Sequence, residues 1–206
     1  MNNNIYKKAI FVHVPKTGGV STFKSGLSNN KNFSVIDHNS RSENYKYLKD
    51  RFMSKDNFFF ATKRDPWRRF ESAFFFLKNG GVNGFDKRDA DTFLKDFKTP
   101  EELLQNWDDE VLNLVHFQPQ LNWIADGKNI LVDLVEDISN LQKTIDLICE
   151  MFNFKKVKVE HRNTSKKNRP SYKITKKSLD KFGELYWDDI ETLGYTKNFQ
   201  ELQNNV

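Results

Sequence analysis

Apolar positions in this chain come as short unbroken runs separated by stretches with helical recurrence. The first run, Ala9-Ile10-Phe11-Val12-His13-Val14, stops at Pro15 and enters a turn with two glycines, the pattern of a buried strand. A helix is predicted from about Val20 to the neighbourhood of Gly26 and the polar Ser28-Asn29-Asn30, so strand, loop and helix open a βαβ unit. A second strand is predicted at Phe33 to Ile36, followed by the polar loop Asp37 to Ser40 and a helix through Tyr45 and Leu48. The third, Phe58-Phe59-Phe60-Ala61-Thr62, runs into Arg64-Asp65-Pro66 and a helix ending at Asn79-Gly80-Gly81.

The stretch from Val82 to about Asn113 is more polar and reads as a helical insertion covering a site. Within it Thr99-Pro100-Glu101-Glu102 has the form of a capping box, with Thr99 as N-cap and Pro100 at the first helical position. Ile130-Leu131-Val132-Asp133-Leu134-Val135 is the expected fourth strand, ending a run in which Asp133 marks the strand end. Ser139 with Gln142 is the expected cap of a helix carrying Leu141, Ile145, Ile148 and Phe152. The recurrence of Leu179, Phe182, Tyr186, Ile190 and Leu193 before Gly194 predicts a closing amphipathic helix. Strands alternating with helices imply a parallel sheet covered on both faces, a three-layer α/β sandwich in one domain. Ligands bind such sheets beyond the carboxyl ends of their strands.

Composition narrows the classes. With 37% hydrophobic and 30% charged residues and a mean hydropathy of −0.74, the sequence offers no apolar run of the roughly 20 residues that a bilayer span needs. The amino terminus lacks the basic stretch, apolar core and cleavage site of a secretory signal, so a cytoplasmic location is expected. Cys149 is the single cysteine, which rules out an internal disulfide and fits a packed thiol. The net charge of +5 suits an anionic partner but equally a solvated lysine surface, and its distribution is more telling. Basic residues gather at Lys63 to Arg69 and at Lys155 to Lys177, beside expected loops and helix starts where phosphates bind.

Two segments carry the chemistry. In His13-Val14-Pro15-Lys16-Thr17-Gly18-Gly19-Val20-Ser21-Thr22 the glycines let the backbone fold around an anion, the Ser21 and Thr22 hydroxyls add donors, and Lys16 adds a mobile cation. The nucleotide-triphosphatase loop places its lysine directly after the last glycine, followed by a magnesium-holding hydroxyl, whereas here lysine precedes both glycines. In Lys63-Arg64-Asp65-Pro66-Trp67-Arg68-Arg69-Phe70-Glu71-Ser72, Arg64 at the strand end and Ser72 about two turns into the helix suit one further phosphate. The alternatives are an ordinary Gly-Gly turn in the first segment and, in the second, an Arg-Asp pair bridging loop and helix with Arg68 and Arg69 merely exposed.

Together these segments resemble the sulfotransferases that use 3′-phosphoadenosine 5′-phosphosulfate (PAPS), whose phosphosulfate loop looks like PKTGGVST and whose 3′-phosphate element looks like RDPWRRFES. More closely, the chain resembles the membrane-anchor-free bacterial and viral members of sulfotransferase family 2, related to the carbohydrate sulfotransferases of the heparan 2-O type. HNSRSENYKYL, QLNWIADG, ILVDLVEDISNLQ, HRNTSKKNRPSYK and DDIETLGY extend the likeness over nearly the whole chain. The resemblance implies a P-loop nucleoside-triphosphate-hydrolase-like fold. It implies that Lys16, Thr17, Gly18, Gly19, Ser21 and Thr22 hold the 5′-phosphosulfate, that Arg64 and Ser72 hold the 3′-phosphate, and that the loop around Asn163, Ser165 and Lys167 also meets the donor.

Sulfuryl transfer has a loose transition state in which charge builds on the leaving oxygen, and Lys16 is the expected cation there, with no metal required. A histidine suits the base that takes the acceptor proton. His38, after the second strand and matching the family's histidine, is the expected base, with Asp37 as a possible orienting partner. His116, among aromatic and proline neighbours, is the rival. His13 is expected to support the first loop by a hydrogen bond and His161 to shape the late one. Residues 82–123, with Trp107, Trp123, Lys87 and Arg88, are the expected acceptor wall for a sugar or anionic glycan. Two other functions stay open: a small-molecule kinase using ATP and magnesium, with Asp133 as metal holder, and a basic nucleic-acid-binding module. Against the latter, Phe58 to Phe60 and Phe74 to Phe76 fall in core patterns rather than between lysines as stacking platforms would.

Overall fold

Residues 5–37, 56–160 and 169–206 are described by the computed structural model of the chain. The helix expected through Tyr45 and Leu48 lies outside them. The chain divides into two compact units, one formed by residues up to Arg64 together with Gln120–Arg162, the other by Asp65–Pro119 together with Asn163–Val206.

The first unit is built on a parallel sheet in which β2 (Phe33–Ile36), β1 (Lys8–Val12), β3 (Asn57–Lys63) and β6 (Leu134–Asp137) lie in that order. β1 pairs Ala9 with Phe33 on one side and with Phe58 on the other, and Phe60 of β3 pairs with Leu134. Successive strand side chains point to opposite faces. Ala9, Phe11, Phe33, Phe58 and Phe60 therefore share one face, and they cluster with Leu141, Ile145, Ile148 and Cys149 of helix α6 (Leu141–Met151). Ile10, Phe59 and Ala61 point the other way and are buried too, so neither face of the central strands meets water. Helix α1 (Gly19–Lys24) follows β1 as expected, and its Phe23 packs edge-on against Phe11. The architecture is α/β, a central parallel four-stranded sheet flanked by helices.

The fourth strand differs from its sequence expectation. Asp126-Gly127-Lys128-Asn129 makes a tight turn, with Gly127 at φ +59, that closes a hairpin between β4 (Ala125–Asp126) and β5 (Asn129–Ile130), and this uses up the start of the apolar run. These strands follow the one-turn helix α5 (Leu121–Ile124). Asp133 then initiates the pairing with β3 instead of ending a strand: its N–H donates to the Phe59 carbonyl at 2.9 Å and its carboxylate accepts the Phe59 N–H at 2.7 Å. The cap of α6 also differs. Asp137 accepts from the Ser139 N–H at the start of a 3-10 turn, while Gln142 reaches sideways, accepting from Val159 N and donating to the Val157 carbonyl. Gln142 thus fixes the extended segment that follows the helix.

The second unit is helical: α2 (Pro66–Lys78), α3 (Gly84–Phe93), α4 (Pro100–Gln105), a 3-10 turn at Asp109–Asn113, α7 (Lys176–Thr192) and α8 (Thr196–Asn204). Trp67, Phe70, Phe74, Leu103, Phe117, Leu179, Phe182 and Tyr186 make its core. The Thr99 hydroxyl accepts the Glu102 N–H as the capping box requires, but the Glu102 carboxylate reaches one residue further back, to Lys98 N. Helix α7 is not the last element, because the turn at Gly194, φ +77, leads into α8, whose Phe199 closes against Gly183 and Phe182. No helix among the described residues is long and apolar enough to cross a membrane.

Candidate anion site at the carboxyl edge of the sheet

The loop leaving β1 is bent by two left-handed residues close together, Lys16 at φ +69 and Gly18 at φ +98. A lysine in that region is uncommon and costs energy that the surroundings must hold, a sign of a specified loop. Such bends are how a backbone gathers its N–H groups round an anion. The loop is anchored from below. Thr17 is fully buried, its hydroxyl donating to the Val14 carbonyl at 2.9 Å and lying 3.1 Å from the Thr62 hydroxyl, while Thr62 donates to the Thr17 carbonyl at 2.8 Å. Thr17 in the loop and Thr62 on the strand thereby clamp the loop onto β3.

The glycines are needed for different reasons. Gly18 has the positive φ and sits against Ile138 and Leu141, where an added Cβ would come within 3.1 Å of Ile138. Gly19 has no unusual φ, but a Cβ on it would fall 1.9 Å from His13 Nε2. His13 is buried beneath the loop with Nδ1 3.2 Å from Asp37 Oδ1 and the Phe23 ring edge-on at 4.9 Å. Support from His13 is thus by packing against Gly19, and Asp37, expected to orient His38, engages His13.

Arg64 follows β3 at the same edge. The side-chain amide of Gln120, itself fully buried, accepts the Arg64 N–H and donates to the Arg64 carbonyl, both at 2.9 Å, holding the backbone as a neighbouring strand would. The guanidinium Nη1 donates to the Lys16 carbonyl at 3.4 Å. Lys16, Thr17, Gly18, Gly19, Ser21, Thr22 and Arg64 are therefore gathered at one sheet edge. Their hydroxyls are engaged with protein carbonyls: Ser21 donates to Glu160 at 3.0 Å and Thr22 to Gly18 at 3.4 Å. Glu160 is the last described residue before the late basic segment, so Ser165, Asn163, Lys167 and His161, like His38, lie outside the described residues.

Ser72 is buried in α2, in the second unit. Asp65 caps that helix, accepting the Arg68 N–H at 2.9 Å, with Pro66 at the first position. Arg68 is exposed and bridges to Glu71 at 3.1 Å, but Arg69 is enclosed at 1% exposure. Burial depresses the Arg69 pKa, and Asp189 and Tyr186 beside it act in the opposite direction without cancelling it. Tyr172 donates to Glu71 at 2.6 Å, and burial together with that carboxylate drives its phenol well above the ordinary range. His116 is buried with Nε2 3.0 Å from Asp86 Oδ1 and its ring edge-on to Phe76, the environment of a packed histidine. Of the expected acceptor wall, Trp123 is buried, Trp107 packs against the helical core, and Lys87 and Arg88 bridge to Asp91 and Asp89.

Sequence reasoning missed Thr62, Gln120 and the His13–Asp37 pair as parts of this edge. Thr62 could have been found as the polar residue closing an apolar strand, whereas Gln120 sits 56 residues from Arg64 and nothing local marks it. Comparison with known proteins yields no matching family model and no matching curated protein.

Proposed function

We propose that this chain is a sulfotransferase that transfers the sulfuryl group of PAPS to the hydroxyl of a carbohydrate or glycoconjugate, on a P-loop-type three-layer fold. The observation that carries the reading is the convergence of Lys16 and Arg64 at one sheet edge, linked at 3.4 Å over a loop with two left-handed residues. One bisphosphorylated nucleoside could engage both cations there. The resemblance of both segments to the donor-binding elements of this enzyme family supplies the chemistry.

In this reading the acceptor oxygen forms a bond to sulfur as the bond from sulfur to the 5′-phosphate oxygen breaks. Lys16 neutralises the departing oxygen, the backbone of residues 16–19 holds the phosphate, and Arg64 holds the 3′-phosphate. His38 receives the acceptor proton, and adenosine 3′,5′-bisphosphate leaves. His116 is a poor rival base, being enclosed with Asp86. The kinase reading loses its metal holder, because Asp133 binds Phe59 near the middle of the ladder, level with Ile10, instead of standing at the loop edge.

Thermal unfolding with nucleotides tests the proposal. Adenosine 3′,5′-bisphosphate without magnesium, at about one hundred times its dissociation constant, should stabilise the protein by about 2.7 kcal/mol and raise the melting temperature by several degrees. A shift with ATP and magnesium but none with the bisphosphate would establish the kinase instead. Nucleic-acid binding that falls steeply with salt and resists the bisphosphate would establish the third function.

A further inference from the structure

We infer that His13 and Asp37 form a positioning pair that sets the shape of the anion loop through Gly19, an inference that rests on the donor-binding reading of that loop. Three ring atoms of His13 lie where a Gly19 Cβ would stand, at 1.9, 2.1 and 2.6 Å, so the imidazole edge is seated directly against the first residue of α1. Phe23, four residues on and thus on the same helix face, closes the ring from one side at 4.9 Å, and Phe11 stacks at 6.0 Å on another. The backbone of His13 is fixed as well, its N–H donating to the Ile36 carbonyl at 3.0 Å. One residue therefore joins the ends of β1 and β2 to the first turn of α1.

An apolar ring would fill the same space. What imidazole adds is direction: with Nδ1–H donated to the Asp37 carboxylate at 3.2 Å, the ring has one rotation and presents one edge to Gly19. Asp37 is well placed for this because its side chain is 49% exposed while that of His13 is 7% exposed, so the acid stands at the sheet edge and the ring below it. Asp37 also immediately precedes His38, the expected base. The pair thus ties the exit of β2 to the donor loop, and loss of its hydrogen bond removes a directional restraint on the ring and so on the loop.

Comparison of Asp37→Ala and Asp37→Asn in the whole chain tests this, because Asn retains an oxygen that accepts the imidazole N–H. Two readouts are needed. Amide hydrogen exchange without nucleotide should rise about tenfold over residues 18–23 in Asp37→Ala, with β3 unchanged, and stay at wild-type rates in Asp37→Asn. Affinity for adenosine 3′,5′-bisphosphate should fall about tenfold in Asp37→Ala and less than twofold in Asp37→Asn. Unchanged exchange in both variants, or a uniform rise throughout the first unit, would overturn the pair's positioning role. Tighter nucleotide binding in both variants would also overturn it, since Asp37 would then act only as a repelling charge. A wild-type protein that ignores the bisphosphate would sink the donor reading alone, and the exchange measurement would still decide whether the pair shapes the loop.

Discussion

Two Gly-Gly turns in this chain are backed by a His–Asp pair, and the two use it differently. At Gly18-Gly19 the imidazole of His13 occupies the place of a Cβ on the second glycine, and its acid partner Asp37 stands half in solvent. At Gly80-Gly81 the acid takes that place: a Cβ on Gly81 would meet the Asp86 side chain at 2.1 Å, and Asp86 and His116 are both enclosed. Asp86 also accepts the Val82 N–H at 2.9 Å, and Asn83 caps the following helix by accepting the Asp86 N–H at 2.9 Å. The helix after Gly18 has a glycine at its N-cap and no side-chain cap. The second turn satisfies its own polar groups, as a structural turn must. The first leaves a helix start without a side-chain cap, beside two cations at the end of a parallel strand. A Gly-Gly turn or a His–Asp pair is therefore no sign of a site by itself; the strand edge and the Arg64 guanidinium on the Lys16 carbonyl distinguish the two.

The largest effect that sharpens this contrast is expected at Lys16. Lys16→Ala should lower sulfuryl transfer about 100- to 1000-fold while leaving the melting temperature within a degree or two of wild type. An unchanged rate with labelled donor would remove Lys16 from the chemistry.

In the second turn the cost should fall on stability. His116→Ala leaves the buried Asp86 carboxylate without its imidazole, at about 3 kcal/mol by denaturant titration, with bisphosphate affinity intact. Burial pushes the Asp86 carboxyl up, but the bonds from His116 and from the backbone of Val82 and Asn83 outweigh it and hold the group below its ordinary value. A carboxyl depressed in the folded state stabilises the protein above the unfolded carboxylate range, and that contribution is lost as pH falls through the folded value. Between pH 6 and pH 3 the wild type should therefore lose more stability than His116→Ala, and parallel profiles would count against the pair.

Gly19→Ala and Gly81→Ala are each expected to cost about 1–3 kcal/mol through overlap. Only Gly19→Ala should also weaken the bisphosphate, and an equal loss in Gly81→Ala would break the distinction between the turns. The smallest effect is expected from Asn83→Ala, about 1 kcal/mol from the lost cap, with nucleotide binding unchanged.

Much of this was legible in the chain because its elements are locally encoded. β1, β2, β3, α1 and α2 stand where apolar runs and capping residues put them, since strand and helix periodicities are properties of neighbouring residues. The errors arose where a local signal had a stronger distant competitor. Ile130 has strand character, but the turn at Gly127 pairs it with Ala125, and the ladder with β3 waits for Asp133 to bind Phe59. Gln142 has the form of a cap residue, but the backbone of Val157 and Val159 claims its side chain. Arg69 sits in a run of basic residues that reads as surface, but α2 turns it inward toward Asp189 and Tyr186.

By itself the sequence determined the alternation of strands and helices, the glycine-bearing loop after the first strand and the cations at Lys16 and Arg64, because these depend on residue type and short spacing. Only the tertiary structure decided that Thr62 clamps Thr17, that Gln120 holds Arg64, and that His13 pairs with Asp37. Those contacts join residues from 24 to 56 positions apart, and a directional hydrogen bond between such residues exists only once the sheet has brought the strand ends together.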